Sequence, residues 1–99
     1  MFDWIKVDYL LPDFPTDIPR DAFQTKSLGS FLEVYTITEN GRLTKENDAG
    51  RIVDIYYHGT ISFYTWWQEI WYQYKAEFDD GQLVKIEREV TNLYYSQYL

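Results

Sequence analysis

His58 is the single histidine of a 99-residue chain, and it stands in Tyr57-His58-Gly59 with Asp54 four positions before it and Ser62 four positions after. On extended chain such spacing puts alternate residues on one face. A carboxylate orienting an imidazole, which in turn takes the proton of a serine hydroxyl, would be the chemistry of nucleophilic catalysis. The rest of that machinery is missing. No nucleophile elbow surrounds Ser62, and no oxyanion donor is marked by the neighbouring residues. The residues therefore read as a turn histidine making structural hydrogen bonds, and no catalytic residue is assigned.

Paired carboxylates are the next candidates for acid/base work or for a hard cation. Glu87 and Glu89 share a strand face beside Lys85, while Asp79 and Asp80 belong to a tight hairpin, where aspartate is favoured for turn geometry alone. The spacing of a calcium loop is absent. One histidine and no cysteine exclude a site built on imidazole and thiolate. The expectation is a protein without metal or cofactor, and not an enzyme.

The run TWWQEIWYQY, residues 65 to 74, is the most unusual stretch. If TISFYTWW is a strand, Trp66 faces with Ser62 and Tyr64, while Trp67 faces with Ile61, Phe63 and Thr65. Adjacent tryptophans on a strand cannot both enter one core. Two outcomes follow: the tail, with Tyr94, Tyr95, Tyr98 and Leu99, folds over the outward rings, or the rings form a contact surface. Tryptophan and tyrosine anchor interfaces because they bury a large area while losing few rotors. The candidate partner-binding set is Trp66, Trp67, Glu69, Trp71 and Gln73.

The elements that must position these residues are strands. Beta-branched and aromatic residues dominate, alanine is scarce, and Asn-Gly and Asp-Gly pairs separate alternating runs. Expected strands include Trp4 to Leu11, SFLEVYTIT, RIVDIYYH, TISFYTWW, IWYQYKAEF and QLVKIEREV. In the fifth, Tyr72, Tyr74, Ala76 and Phe78 share one face. In the last, Val84, Ile86 and Val90 alternate with Lys85, Glu87 and Glu89. All three prolines fall in PDFPTDIPRD, which reads as an ordered loop. Asn40-Gly41 predicts a type I′ hairpin turn. The fold expected is all-β in one domain over residues 1–99: a single curved antiparallel meander sheet or half-barrel of six to seven strands. Residues 91–99 are a packing tail, either a short C-terminal helix or a continuing edge strand.

The charge narrows the partners. Sixteen carboxylates against nine lysines and arginines give a net charge of −7, which disfavours direct binding to nucleic acid or to an anionic membrane surface. The same charge suits a partner that is itself basic, such as a nucleic-acid-binding protein. A homodimer is compatible with the aromatic surface. The first residues, MFDWIKVDYLLPDFP, contain neither a secretory signal pattern nor a membrane span, so a cytoplasmic location is expected.

The succession MFDWIKVDYLLPD, Gln24-Thr25-Lys26, Asn40-Gly41-Arg42-Leu43, Tyr57-His58-Gly59 and the Asp80-Gly81 hairpin resembles a family of small bacterial and phage-encoded hypothetical all-β proteins. The resemblance spans most of residues 1 to 87. It implies a compact all-β fold and carries no catalytic residues, and TWWQEIW and the tail depart from it. The resulting expectation is a non-enzymatic protein-binding module, an inhibitor or accessory protein of a phage or mobile element. The alternative is a small-ligand or carbohydrate binder with an aromatic pocket inside the sheet.

Overall fold

A computed structural model describes residues 1–15 and 17–89. The expected tail and C-terminal helix, and with them Val90, lie outside the described residues. Eight strands form one open sheet: β1 (Asp3–Val7), β2 (Phe23–Thr25), β3 (Val34–Ile37), β4 (Leu43–Glu46), β5 (Ile52–Asp54), β6 (Gly59–Trp67), β7 (Ile70–Asp79) and β8 (Gln82–Glu89). The order across the sheet is β5-β4-β3-β1-β2-β6-β7-β8, and it does not close into a barrel. Three strands come out shorter than their alternation suggested, and SFLEVYTIT keeps only Val34–Ile37 because the residues before it make the crossover. β1 stops at Val7, and RIVDIYYH keeps only Ile52–Asp54 in the sheet.

The chain is not the simple antiparallel meander of six to seven strands expected. β1 pairs antiparallel with β2 on one side and parallel with β3 on the other, so residues 26–33 must cross the end of β1. Asp3 makes that crossing. Its fully buried carboxylate accepts hydrogen bonds from the backbone N–H groups of Ser30 (2.7 Å), Phe31 (3.0 Å) and Glu33 (2.9 Å). Ser30 and Leu32 both take positive φ in this segment. Backbone bonds from Leu32 to Phe2 and from Trp4 to Glu33 then set β3 beside β1. A buried charge needs such partners, because leaving it bare would cost several kcal/mol.

One face of the sheet carries the core. Ile5, Val7, Phe23, Ile37, Ile61, Phe63, Tyr74 and Ala76 are fully buried there, and the expected inward set of β7, Tyr72 to Phe78, is confirmed. The proline-containing loop covers this face. Leu11 and Ile18 are buried, and the Phe14 ring lies 5.5 Å from Phe23 and 6.2 Å from Tyr74. The Tyr74 hydroxyl donates to the Pro12 carbonyl at 2.7 Å, and Arg20 donates to the Val7 and Tyr9 carbonyls while standing over Phe14. Fixed proline φ angles limit the entropy lost in holding this loop in place.

The turns divide into two kinds. The Asn40-Gly41 hairpin is not type I′: Gly41 N–H bonds the Thr38 carbonyl, and only Gly41 has positive φ, so a three-residue loop ends in a glycine bulge. Asn47 to Gly50 repeats the pattern, with the Asn47 side chain accepting from Ala49 and Arg51. Gln68-Glu69 and Asp80-Gly81 are the two-residue turns, with positive φ at both positions, as type I′ requires. A bulge at Glu77/Phe78 shifts β8 so that Leu83 is buried and Val84 points out, against the expected facing of Val84. The sheet bends until Arg42 bridges Gln82 and the Leu83 N–H reaches the Gly41 carbonyl at 2.8 Å. A Cβ on Gly41 would stand 2.9 Å from that of Leu83, so the approach requires glycine.

Candidate functional site

β6 and β7 form the longest hairpin, and their alternation sorts the aromatic run between the two faces of the sheet. Trp66 and Trp71 sit directly opposite each other on the face away from the core, with ring centroids 6.1 Å apart and planes inclined by 56°. Trp71 stacks on Tyr64 at 4.9 Å and 18°. Its indole N–H donates to the Gln73 side-chain oxygen at 3.0 Å, and the Gln73 amide donates to Glu89 at 3.2 Å. Trp71 is thus braced on one side by a ring and on the other by an amide and a carboxylate. Among the described residues Trp66 has no such brace, and it is 62% exposed.

The strand order extends this surface beyond the hairpin. Registers place Val34, Trp4, Gln24, Tyr64, Gln73 and Glu89 in one lateral row over β3, β1, β2, β6, β7 and β8. Trp4, Ala22, Gln24, Tyr64, Thr65, Trp66 and Trp71 line a hollow of about 380 Å³. Ala22 contributes only a methyl group where β6, continuing the register of Gln24 with Tyr64, carries the Trp66 indole. Phe2 packs edge-on against Trp4 at 5.0 Å and holds the far wall.

Of the partner-binding set, Trp66, Trp71 and Gln73 come together on this outer face. Trp67 does not. It turns toward the opposite face and packs against the core, with its indole nitrogen buried and without a hydrogen-bond partner among the described residues. Glu69 is exposed in the turn that follows Trp67. Trp4, Ala22, Gln24 and Tyr64 were missing from the set. Alternation put Trp4 and Tyr64 on outward positions, but nothing in the sequence says that β1, β2 and β6 are neighbours.

The catalytic arrangement around His58 is dispersed. Asp54 accepts from the Arg42 guanidinium at 2.6 Å and from the Tyr56 N–H at 2.8 Å. The hydrogen bond to Arg42 holds the Asp54 carboxyl below the usual aspartate range. The Ser62 hydroxyl donates to Glu89 at 3.4 Å. His58 is exposed, with its Nδ1 3.3 Å from Asp79 and 3.4 Å from the Asp80 N–H. Asp79, Asp80 and His58 share the turn end of the last hairpin as an open polar cluster.

Comparison with known proteins returns no match, neither to a family model nor to a curated protein or a solved structure.

Proposed function

We propose that this chain is a non-enzymatic protein-binding module whose contact surface is the outer aromatic face of the sheet, centred on Trp66 and Trp71 with Trp4, Tyr64 and Gln73 around them. The observation that carries the reading is the exposure of Trp66 beside a braced Trp71. A large amphipathic ring left open next to a preorganised wall is the arrangement that anchors interfaces. Glu69 and Glu89 flank it, and the net charge of −7 favours a basic partner, such as a nucleic-acid-binding protein. In a phage or mobile element, as the resemblance implies, such a module would act as an inhibitor or accessory protein in the cytoplasm.

For the carbohydrate alternative, the packing of Phe14 on Phe23, Tyr72 and Tyr74 across the inner face favours the outer face as the place of binding. Among the described residues the outer hollow offers it aromatic rings as well, so one experiment separates the two readings. Peptides selected by display against the full chain, and a glycan array probed with it, are each compared with Trp66→Ala. Selected peptides whose affinity falls at least tenfold in the folded variant support the module. Glycan binding with no peptide binding would replace it by the alternative.

A further inference from the structure

We propose that the hollow over Ala22 is an aromatic cage for a cation, and that its occupant is an arginine or lysine side chain of a basic protein segment. This rests on the protein-binding reading and names the partner chemistry of the same site.

Three features of the hollow point this way. Four of its seven lining residues are Trp4, Tyr64, Trp66 and Trp71, and none is charged. Indole and phenol rings present negative faces, so they attract a cation without an ion pair, and they do so best where water is thinned. The rings also stand at angles. Tyr64 and Trp71 occupy one face of each other at 18°, while Trp66 leans across at 56°. That is a concave corner; stacking a sugar or a proline calls for a flat open platform. Finally, the surrounding charge favours a cation. Sixteen carboxylates face nine lysines and arginines in the chain, and Glu89 is tied to the wall through Gln73. Two lysines of the outer face have acidic neighbours of their own: Lys6 lies 3.9 Å from Asp8, and Lys75 is paired in register with Glu87.

The Gln24 amide stands between the rings, where its carbonyl can accept from a guanidinium or ammonium donor. The Ala22 floor sets the depth. A larger side chain there would fill the corner without removing any ring.

The test uses the full chain and two capped tripeptides, Gly-Arg-Gly and Gly-citrulline-Gly. Citrulline keeps the shape of arginine and removes its charge. Indole N–H resonances are followed by two-dimensional NMR at constant ionic strength. The expected result is a saturable shift of the Trp66 indole, with those of Trp4 and Trp71, and an affinity roughly 3- to 30-fold higher for the arginine peptide, the range that ring–cation attraction supplies. Ala22→Leu should reduce the arginine affinity by a similar factor, and its folding is checked by the unchanged remaining spectrum. Equal affinity for the two peptides, or no saturable shift with either, overturns the cage. If display-selected peptides still bind through Trp66 but contain no basic residue, the cage fails while the module stands. If no peptide of any kind binds, the module itself fails.

Discussion

The turn between the tryptophans stores strain that can be measured. Gln68 and Glu69 hold φ of 48° and 66°, the left-handed region, in a two-residue hairpin loop closed by Trp67 and Ile70. An L-residue with a Cβ pays about 1–2 kcal/mol for that conformation. Asparagine tolerates it, and glycine accepts it while giving back about 0.5–1 kcal/mol in the entropy of the unfolded chain. Replacing the pair by Asn-Gly should therefore stabilise the protein by about 1–2 kcal/mol. For a domain of this size each kcal/mol moves Tm by about 4–8 °C, so the expected rise is roughly 5 to 15 °C. Calorimetry or thermal circular dichroism reads it, and urea titration should show a higher midpoint at unchanged slope. Glu69→Gln alone is the control, since it removes one charge from an acidic chain but leaves the backbone strain, and it should stay within about 0.5 kcal/mol. An Asn-Gly variant no more stable than the parent would refute the strain argument. It would show that these residues are held in place by contacts that offset the backbone cost.

Four further outcomes are expected. Asp3→Asn exchanges an acceptor oxygen for an amide NH2 facing backbone donors, so about 2–4 kcal/mol should be lost in chemical denaturation. Tyr74→Phe should cost about 1 kcal/mol through the abandoned Pro12 carbonyl. Burial pushes the Tyr74 hydroxyl up to about 12, above the ordinary value near 10, so its contribution is intact below about pH 10 and is lost as pH rises through 12. Alkaline unfolding followed by circular dichroism should therefore begin at lower pH when Arg20, which secures the covering loop, is replaced by Ala. Asp54, held low by Arg42, contributes stability above about pH 4 that disappears as pH falls through its lowered value, and Arg42→Gln should flatten that acid limb of the stability profile.

Much of the sheet was legible because β6 and β7 alternate strictly, and β6, β7 and β8 meet at tight turns. Period alone grouped Ile61 with Phe63, and Tyr72 with Tyr74, Ala76 and Phe78, on common faces, and all are buried. The failures share a cause. The irregularity at Glu77/Phe78 leaves Val84 as the unpaired extra residue of β8, between Leu83 opposite Phe78 and Lys85 opposite Glu77, so Leu83 turns inward and Val84 out while Ile86 keeps its expected facing opposite Ala76. Asn40-Gly41 carries the type I′ signature, yet Glu39 lengthens the loop and the bulge takes the glycine. Asp3 escaped notice because an aspartate at an inward position is a poor core residue until three N–H groups 27 to 30 residues away converge on it. Only long-range pairing supplies them, and no local pattern encodes that.

The same long-range pairing explains why the aromatic run could be sorted but its surroundings could not. Period two separates Trp66 from Trp67 whatever the topology. Whether Trp66 then meets another ring or open water depends on which strands flank β6. A plain meander would have put β5 beside β6, and β5 offers Ile52, Val53 and Asp54. The crossover fixed by Asp3 instead inserts β1 and β2, bringing Trp4, Ala22 and Gln24 to the Trp66 edge. The hollow thus depends on a buried carboxylate that directly precedes its Trp4 wall. Loss of Asp3 should open the β1–β3 pairing at the Trp4 wall as well as weaken the fold. A partially destabilised Asp3→Asn protein, still folded at low temperature, should accordingly show a displaced Trp4 indole resonance and weakened peptide binding with the Trp66 and Trp71 contacts left intact.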